Sequence, residues 1–226
     1  MNQLEWMQRQ IDQLTKRVND LSTLDKPNRL NAWQPIFQAA SYVSATSILF
    51  TGADLTTYMT GYVKCRWYQS GWRYGYISAS SLGSGNTTAT IIGKSVLNAT
   101  ITDFSISYGN PVDFVDWFGF TSVISSSVGA ITSYTISNAV FKIDSRKLDI
   151  ILSFTITNNG AGSGSVRFTH PFTLTSLMLG YGRENALTGN MLQVRGTSSP
   201  VSIFTYNNNY PGGTNYVIEI FATAGV

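Results

Sequence analysis

The chain has 226 residues and a formal net charge of +3, and only 12% of its residues are charged, about half the usual share. The length allows one or two compact domains, and the small charge, with no run of Lys or Arg, excludes the clustered basic face of a nucleic-acid binder. A single cysteine, Cys65, and a single histidine, His170, exclude a disulfide framework and a metal site built from several His or Cys within one chain.

Thr, Ser, Asn, Gly and Tyr carry the polarity instead. That is the composition of a Gly-rich β protein with neutral, hydrogen-bonding surfaces. No segment approaches the length of a membrane span. The first residues form a polar heptad rather than a basic stretch followed by an apolar one, which argues against a signal peptide.

Residues 1–25 stand apart. Leu4, Met7, Ile11, Leu14, Val18 and Leu21 recur at spacings of 3, 4, 3, 4 and 3, the a and d positions of a coiled coil. The stripe is narrower than a helix packed on a globular core needs, and a lone helix of this kind is marginal in water. The spacing therefore predicts self-association, with the alternative that the helix folds back on its own β body. The heptads do not fix the number of chains.

A polar linker with Pro27 and Pro35 covers 26–42. Residues 43–94 read as a β-meander. Val63, Cys65 and Trp67 alternate with polar neighbours, Gln69-Ser70-Gly71 suits a three-residue hairpin loop, and "GSGN" at 83–86 marks a second turn. This module looks too thin to hold much core of its own, so it is expected to lean on neighbouring chains. Residues 95–117 read as a connector. From 118 to 226 short strands and Gly-rich turns predict a jelly-roll-like β-sandwich. Its clearest strand places Leu148, Ile150, Leu152, Phe154 and Ile156 on one face. "DSRK" at 144–147 turns that strand back onto 140–143, "NNGAGSGS" at 158–165 reads as a flexible loop, and "NYVIEIFA" at 215–222 as a closing strand.

No catalytic set emerges. His170 lies beside Pro171 at a strand end and reads as a structural histidine. Asp113 with Asp116, and Asp144 with Asp149, are the carboxylate pairs to weigh for glycan hydrolysis, but both sit where solvated Asp is ordinary. The Gly-rich segments lack the Lys-Ser/Thr of a phosphate loop. No catalytic residue, metal or cofactor is expected.

Binding has better candidates. Saccharide recognition combines flat aromatic faces with side chains that hydrogen-bond hydroxyls. One such cluster is Tyr68, Trp72, Arg73 and Tyr74 at the hairpin tip. The other lies on the loops of the last domain: Tyr181, Arg183, Glu184 and Asn185, with Tyr206, Asn207, Asn208, Asn209 and Tyr210. Loops on a rigid scaffold are the usual place for recognition.

A short coiled coil, a small β module and a β-sandwich of about 110 residues resemble trimeric bacteriophage fibre and receptor-binding proteins. "ILFTGADLTTYMTGYVKCRWYQSGWRYGYISASSLGSGNTTATIIG" is similar to a strand-turn-strand module of phage tail proteins, with Phe50, Gly52, Asp54 and Tyr74, Gly75, Tyr76, Ile77 at the matching positions. "SNAVFKIDSRKLDIILSFTITNNGAGSGSVRFTHPF" is similar to the opening of their terminal β domain, departing at Asp144-Ser145 and at His170. The resemblance implies a homotrimer on a virion, made in the bacterial cytoplasm. It implies contact with other virion proteins through the N-terminal region and adhesion to host-surface saccharide, without membrane insertion. The alternative is a purely structural head fibre, decoration or connector protein.

Overall fold

The computed structural model describes residues 32–226 apart from 112, 115, 116 and 145. The six heptad residues lie outside the described residues. Among those described there is no helix; sixteen strands form two sheets.

The first sheet contains β1 (Gln34–Pro35), β2 (Ala40–Ser44), β3 (Ser47–Phe50), β4 (Val63–Tyr68), β5 (Trp72–Gly83), β6 (Asn86–Gly93) and β7 (Phe104–Ser107), in the order β1-β7-β4-β5-β6-β3-β2. It reaches past both sequence-based limits: β1 and β2 come from the region read as linker, and β7 from the region read as connector. The two edge strands are consecutive in the chain, joined by residues 36–39. Four residues reach at most about 14 Å, so the sheet is rolled until its edges adjoin. Backbone bonds from Ile36 N to Phe104 O (2.9 Å) and from Thr51 N to Ala39 O (3.1 Å) hold the joint.

Inside the roll lie Ile48, Phe50, Met59, Cys65, Trp67, Ile77, Ala89 and Ile91, all essentially inaccessible to water. The period-2 pattern of β4 is the cause, since Val63, Cys65 and Trp67 all face in. The expectation of a module too thin for its own core is corrected: rolling the sheet gives both sides of the core to one chain. The hairpins follow their turn chemistry. Residues 69–71 join β4 to β5, with Ser70 and Gly71 at positive φ, and Ser84-Gly85 (φ 52° and 74°) joins β5 to β6 as a two-residue turn of the type whose twist suits a hairpin.

The second sheet contains β8 (Phe118–Gly119), β9 (Ile124–Val128), β10 (Ser133–Asp144), β11 (Lys147–Asn158), β12 (Ser163–Phe168), β13 (Met178–Glu184), β14 (Met191–Gly196), β15 (Val201–Thr205) and β16 (Tyr216–Gly225). Their order is β8-β10-β11-β16-β13-β14-β15-β12-β9. Again the edges are consecutive in the chain, joined by residues 120–123. The sheet wraps one core to which β8 to β16 all contribute, consistent with the expected β-sandwich. Leu148, Ile150, Leu152, Phe154 and Ile156 all face that core, and Arg146, at φ 69°, turns β10 into β11. Residues 158–165 are pinned rather than free. Gly162 N donates to Asn159 O (3.1 Å), Asn159 Nδ2 to Gly162 O (3.0 Å), and the Tyr210 hydroxyl to Asn159 Oδ1 (2.5 Å).

The two domains are joined through tyrosine. Tyr76 stands on the outer face of the first sheet yet is buried in the second core, ringed by Phe114, Phe118 and Phe141 at 5.2–6.0 Å between ring centroids. Its hydroxyl donates to Ile143 O (2.8 Å) and accepts from Ile143 N (3.0 Å). The Tyr62 hydroxyl accepts from Thr173 N (3.0 Å). The small module therefore leans on its own sandwich through this junction.

Candidate functional site

From Lys147, near the junction, to Asn158, β11 runs 12 residues, about 40 Å of extended chain. The register carries its far end past β16 at Tyr216–Val217 and β13 at Glu184, and on to β14 at Met191. Loops 185–190 and 206–215 thus sit together at the tip remote from the first domain. Tyr206 N donates to Met191 O (3.1 Å), and Gln193 Nε2 donates to Asn208 Oδ1 (2.8 Å).

The sequence-based residues divide here by role. Glu184 is almost fully buried and builds the first loop. Its carboxylate accepts from the backbone N–H of Ala186 (2.8 Å), Leu187 (3.1 Å), Thr188 (2.5 Å) and Gly189 (3.2 Å), from Thr188 Oγ1 (2.8 Å) and from Val217 N (3.3 Å). Burial pushes its pKa up, but these donors outweigh that and bring it down to about 2. It is an internal anion, with its oxygens committed to the loop.

Asn208 and Asn209 build the second loop. Asn208 adopts φ 61°, a conformation Asn tolerates. Asn209 N donates to Thr205 Oγ1 (2.9 Å), and Thr205 N to Asn209 O (3.0 Å). Tyr210 is half-buried on Asn159. Asn185 donates its side-chain amide to Glu219 Oε2.

What remains faces solvent. Tyr206 is 77% exposed and Tyr181 63%; Arg183, Asn185 and Asn207 are exposed as well. Tyr181 lies further down the outer face of β13, tilted against Phe221 at 5.8 Å. Leu187, in the first loop, and Met191, whose carbonyl accepts from Tyr206 N, were missed by sequence reasoning and add exposed apolar surface at this end. The place of Met191 follows from the pairing of β13, β14 and β15, which the sequence does not show.

The hairpin cluster lies on the outer face of β4, β5 and β7, beside the Tyr76 junction: Trp33 and Tyr74 pack on Phe114 at 6.0 and 6.2 Å between ring centroids, and Phe114 packs on Tyr76. The Arg66 guanidinium is stacked between Trp33 and Trp72, 4.8 and 4.3 Å from their ring centroids. It donates to Asp113 Oδ2 (2.8 Å), which Tyr74 also reaches (3.3 Å), while Trp33 Nε1 donates to Asp113 Oδ1 (2.6 Å). Partial burial pushes the Asp113 carboxyl up, and the Trp33 and Arg66 donors more than offset it, holding it below the usual carboxylate range. Tyr68 packs edge-on to Trp72 at 5.5 Å, and Arg73 Nη1 donates to Ser95 O (2.8 Å). Beside this stack runs an open groove of about 590 Å³, lined by Trp33, residues 35–40, Arg66, Trp72 and residues 101–105. Sequence reasoning missed Trp33, Arg66, Asp113 and Phe37 as members of one cluster, because they meet only through sheet pairing.

Of the two carboxylate pairs, only Asp144 with Asp149 lies wholly among the described residues, and these two have different surroundings. Asp116 lies outside the described residues. Asp144 is exposed at the β10–β11 turn within 4.0 Å of Lys64, whereas Asp149 is buried against Lys147 at 3.1 Å. His170 is buried, accepts at Nδ1 from Phe172 N (3.3 Å) and stacks on Phe172, a structural position. Among the described residues no group of three or more His, Cys, Asp or Glu gathers as metal ligands do. The chain matches no protein-family model, no curated protein and no solved structure.

Proposed function

We propose that this chain is a homotrimeric fibre or spike protein of a phage virion, and that it attaches the particle to host-surface saccharide through the tip of its second domain. The observation that carries the reading is the state of the two tip loops. Their backbones are locked by a buried carboxylate and by Asn208 and Asn209, while Tyr206, Asn207 and Arg183 are exposed on the same end and Asn185, exposed as well, is held by Glu219. A surface already held in one conformation loses little freedom on binding. An exposed tyrosine ring with amides and a guanidinium beside it suits the apolar face and hydroxyls of a sugar.

The heptad segment supports the assembly. It would hold three copies together and join them to other virion proteins, and three weak sites on one stalk bind with avidity well above any single one. The test is retention of the full chain on polysaccharide from the host cell wall, with Tyr206→Ala and Arg183→Ala alongside. Retention that falls at least tenfold in each variant, with unchanged unfolding midpoints, supports the reading. No retention of the unaltered chain on any host envelope fraction removes the adhesion, and density on the capsid of intact virions would favour a structural role.

A further inference from the structure

We infer that the groove beside Trp33, Arg66 and Trp72 is a contact between copies of this chain, covered in the assembly by the 33–40 segment of a second copy with Phe37 as its anchor. This rests on the homo-oligomeric reading above and names the surface that reading leaves open.

Phe37 is 89% exposed, and its backbone is not loose. It lies in the four-residue joint that closes the first sheet, hydrogen-bonded on one side through Ile36 to Phe104 and on the other through Ala39 to Thr51. A phenylalanine left exposed in the wall of an open groove, on a segment tied down at Ile36 and Ala39, is a side chain presented to something. The groove has the residue types that dominate protein–protein contacts, Trp and Arg at a packed centre. Trp72, still 44% exposed, is one wall.

Charge is already settled within the cluster. Arg66 is balanced by Asp113 at 2.8 Å and sandwiched between two indoles, and the Trp33 ring N–H is also taken by Asp113. The Trp33 and Trp72 rings that flank Arg66 give a partner protein an aromatic surface to cover, and the polar residues Gln38, Thr102, Asp103 and Ser105 form the polar rim that such contacts carry.

Position supplies the identity of the partner. Trp33, in the wall of this groove, follows the heptad residues Leu4 to Leu21 by only twelve positions in the chain. From Leu21 to Trp33 the chain reaches at most about 40 Å. Copies gathered through the heptads therefore hold one another's Phe37 and groove at high effective concentration. Phe37 is itself part of the groove's wall, so each copy presents anchor and groove to its neighbour on one face.

The experiment uses the full chain with a benzoyl-phenylalanine photo-crosslinker at position 37, made as a mixture of isotopically light and heavy copies. Irradiation is expected to give covalent multimers whose light–heavy crosslinked peptides join position 37 to residues 66–72 or 101–105. A parallel Phe37→Asp chain, folded by circular dichroism, is expected to dissociate at about tenfold or more higher concentration than the unaltered chain. Crosslinks that stay within one copy, or map elsewhere, overturn the inference while leaving an oligomeric chain intact. So does a Phe37→Asp chain of unchanged subunit number that has lost polysaccharide retention, since the groove is then a saccharide site. A monomeric unaltered chain at micromolar concentration overturns the homo-oligomeric reading itself.

Discussion

Replacing Glu184 by Gln tests whether the tip loop is organised by a buried charge. The substitution keeps the shape and removes the negative charge. It also turns an amide NH2 toward donors that the carboxylate now accepts, among them the N–H groups of Ala186, Leu187, Thr188 and Gly189. The pKa of Glu184 falls from an ordinary 4.5 to about 2 in the folded chain. A shift of that size corresponds to stabilisation on the order of 3 kcal/mol. Because the folded pKa is depressed, this stabilisation is fully present above pH 4.5 and is lost as pH falls toward 2. Urea unfolding should therefore show Glu184→Gln less stable than the unaltered chain by about 3 kcal/mol at pH 7. The difference should shrink by about 2 kcal/mol between pH 4.5 and pH 3. A difference that holds constant over that range would show that the loop does not depend on the charge, and the account of a pre-formed tip would be wrong.

Three further outcomes are expected. Tyr76→Phe keeps the ring but strands Ile143 N and O in the junction, and should cost about 2–4 kcal/mol in urea unfolding. His170→Ala should cost about 1–3 kcal/mol by removing the acceptor for Phe172 N; in addition, burial pushes the His170 pKa down, so stability should fall as pH drops below 6.5, and His170→Asn should lack that fall. Gly182→Ala should lower the thermal midpoint, because a Cβ there would press on Glu219 O and Ile220 of β16, and such overpacking costs about 1–3 kcal/mol.

The strands were the most legible part of the sequence. Alternation along 147–158 and 63–68 gave both the secondary structure and the buried face, because a half-buried strand writes its environment into a period of two. Tyr76 shows where that reading runs out. Residues 75–77 are buried on both faces, since the outside of the first sheet is the floor of the second core, and no local pattern announces a neighbour 67 residues away. The tip set was legible as residue types and not as roles. Glu184 and Asn208 look like ligand-binding side chains in a polar loop, yet their hydrogen-bonding capacity is turned inward. The Arg66 cluster is the converse. Trp33, Arg66 and Asp113 are far apart in sequence; the pairing of β1, β7 and β4 brings the first two together, and the segment that follows β7 returns Asp113 to them.

Both sheets close in the same way, with edge strands that follow one another in the chain. Exposed edges invite pairing with other chains, and a sheet whose ends adjoin offers few. Association between copies then has to run through side chains rather than backbone. That directs attention to fixed, exposed aromatic residues. Phe37 and Tyr206 are the most exposed large hydrophobic residues among those described, and they stand one in each of the two domains that Tyr76 and Tyr62 join. A hydrogen-bonded junction fixes one domain against the other. Avidity depends on geometry that lets all sites engage at once, and a loose junction would let the tips splay. In the assembly proposed above, the tyrosine junction is thus the part of the fold that would let contact at the first domain govern spacing at the tip of the second.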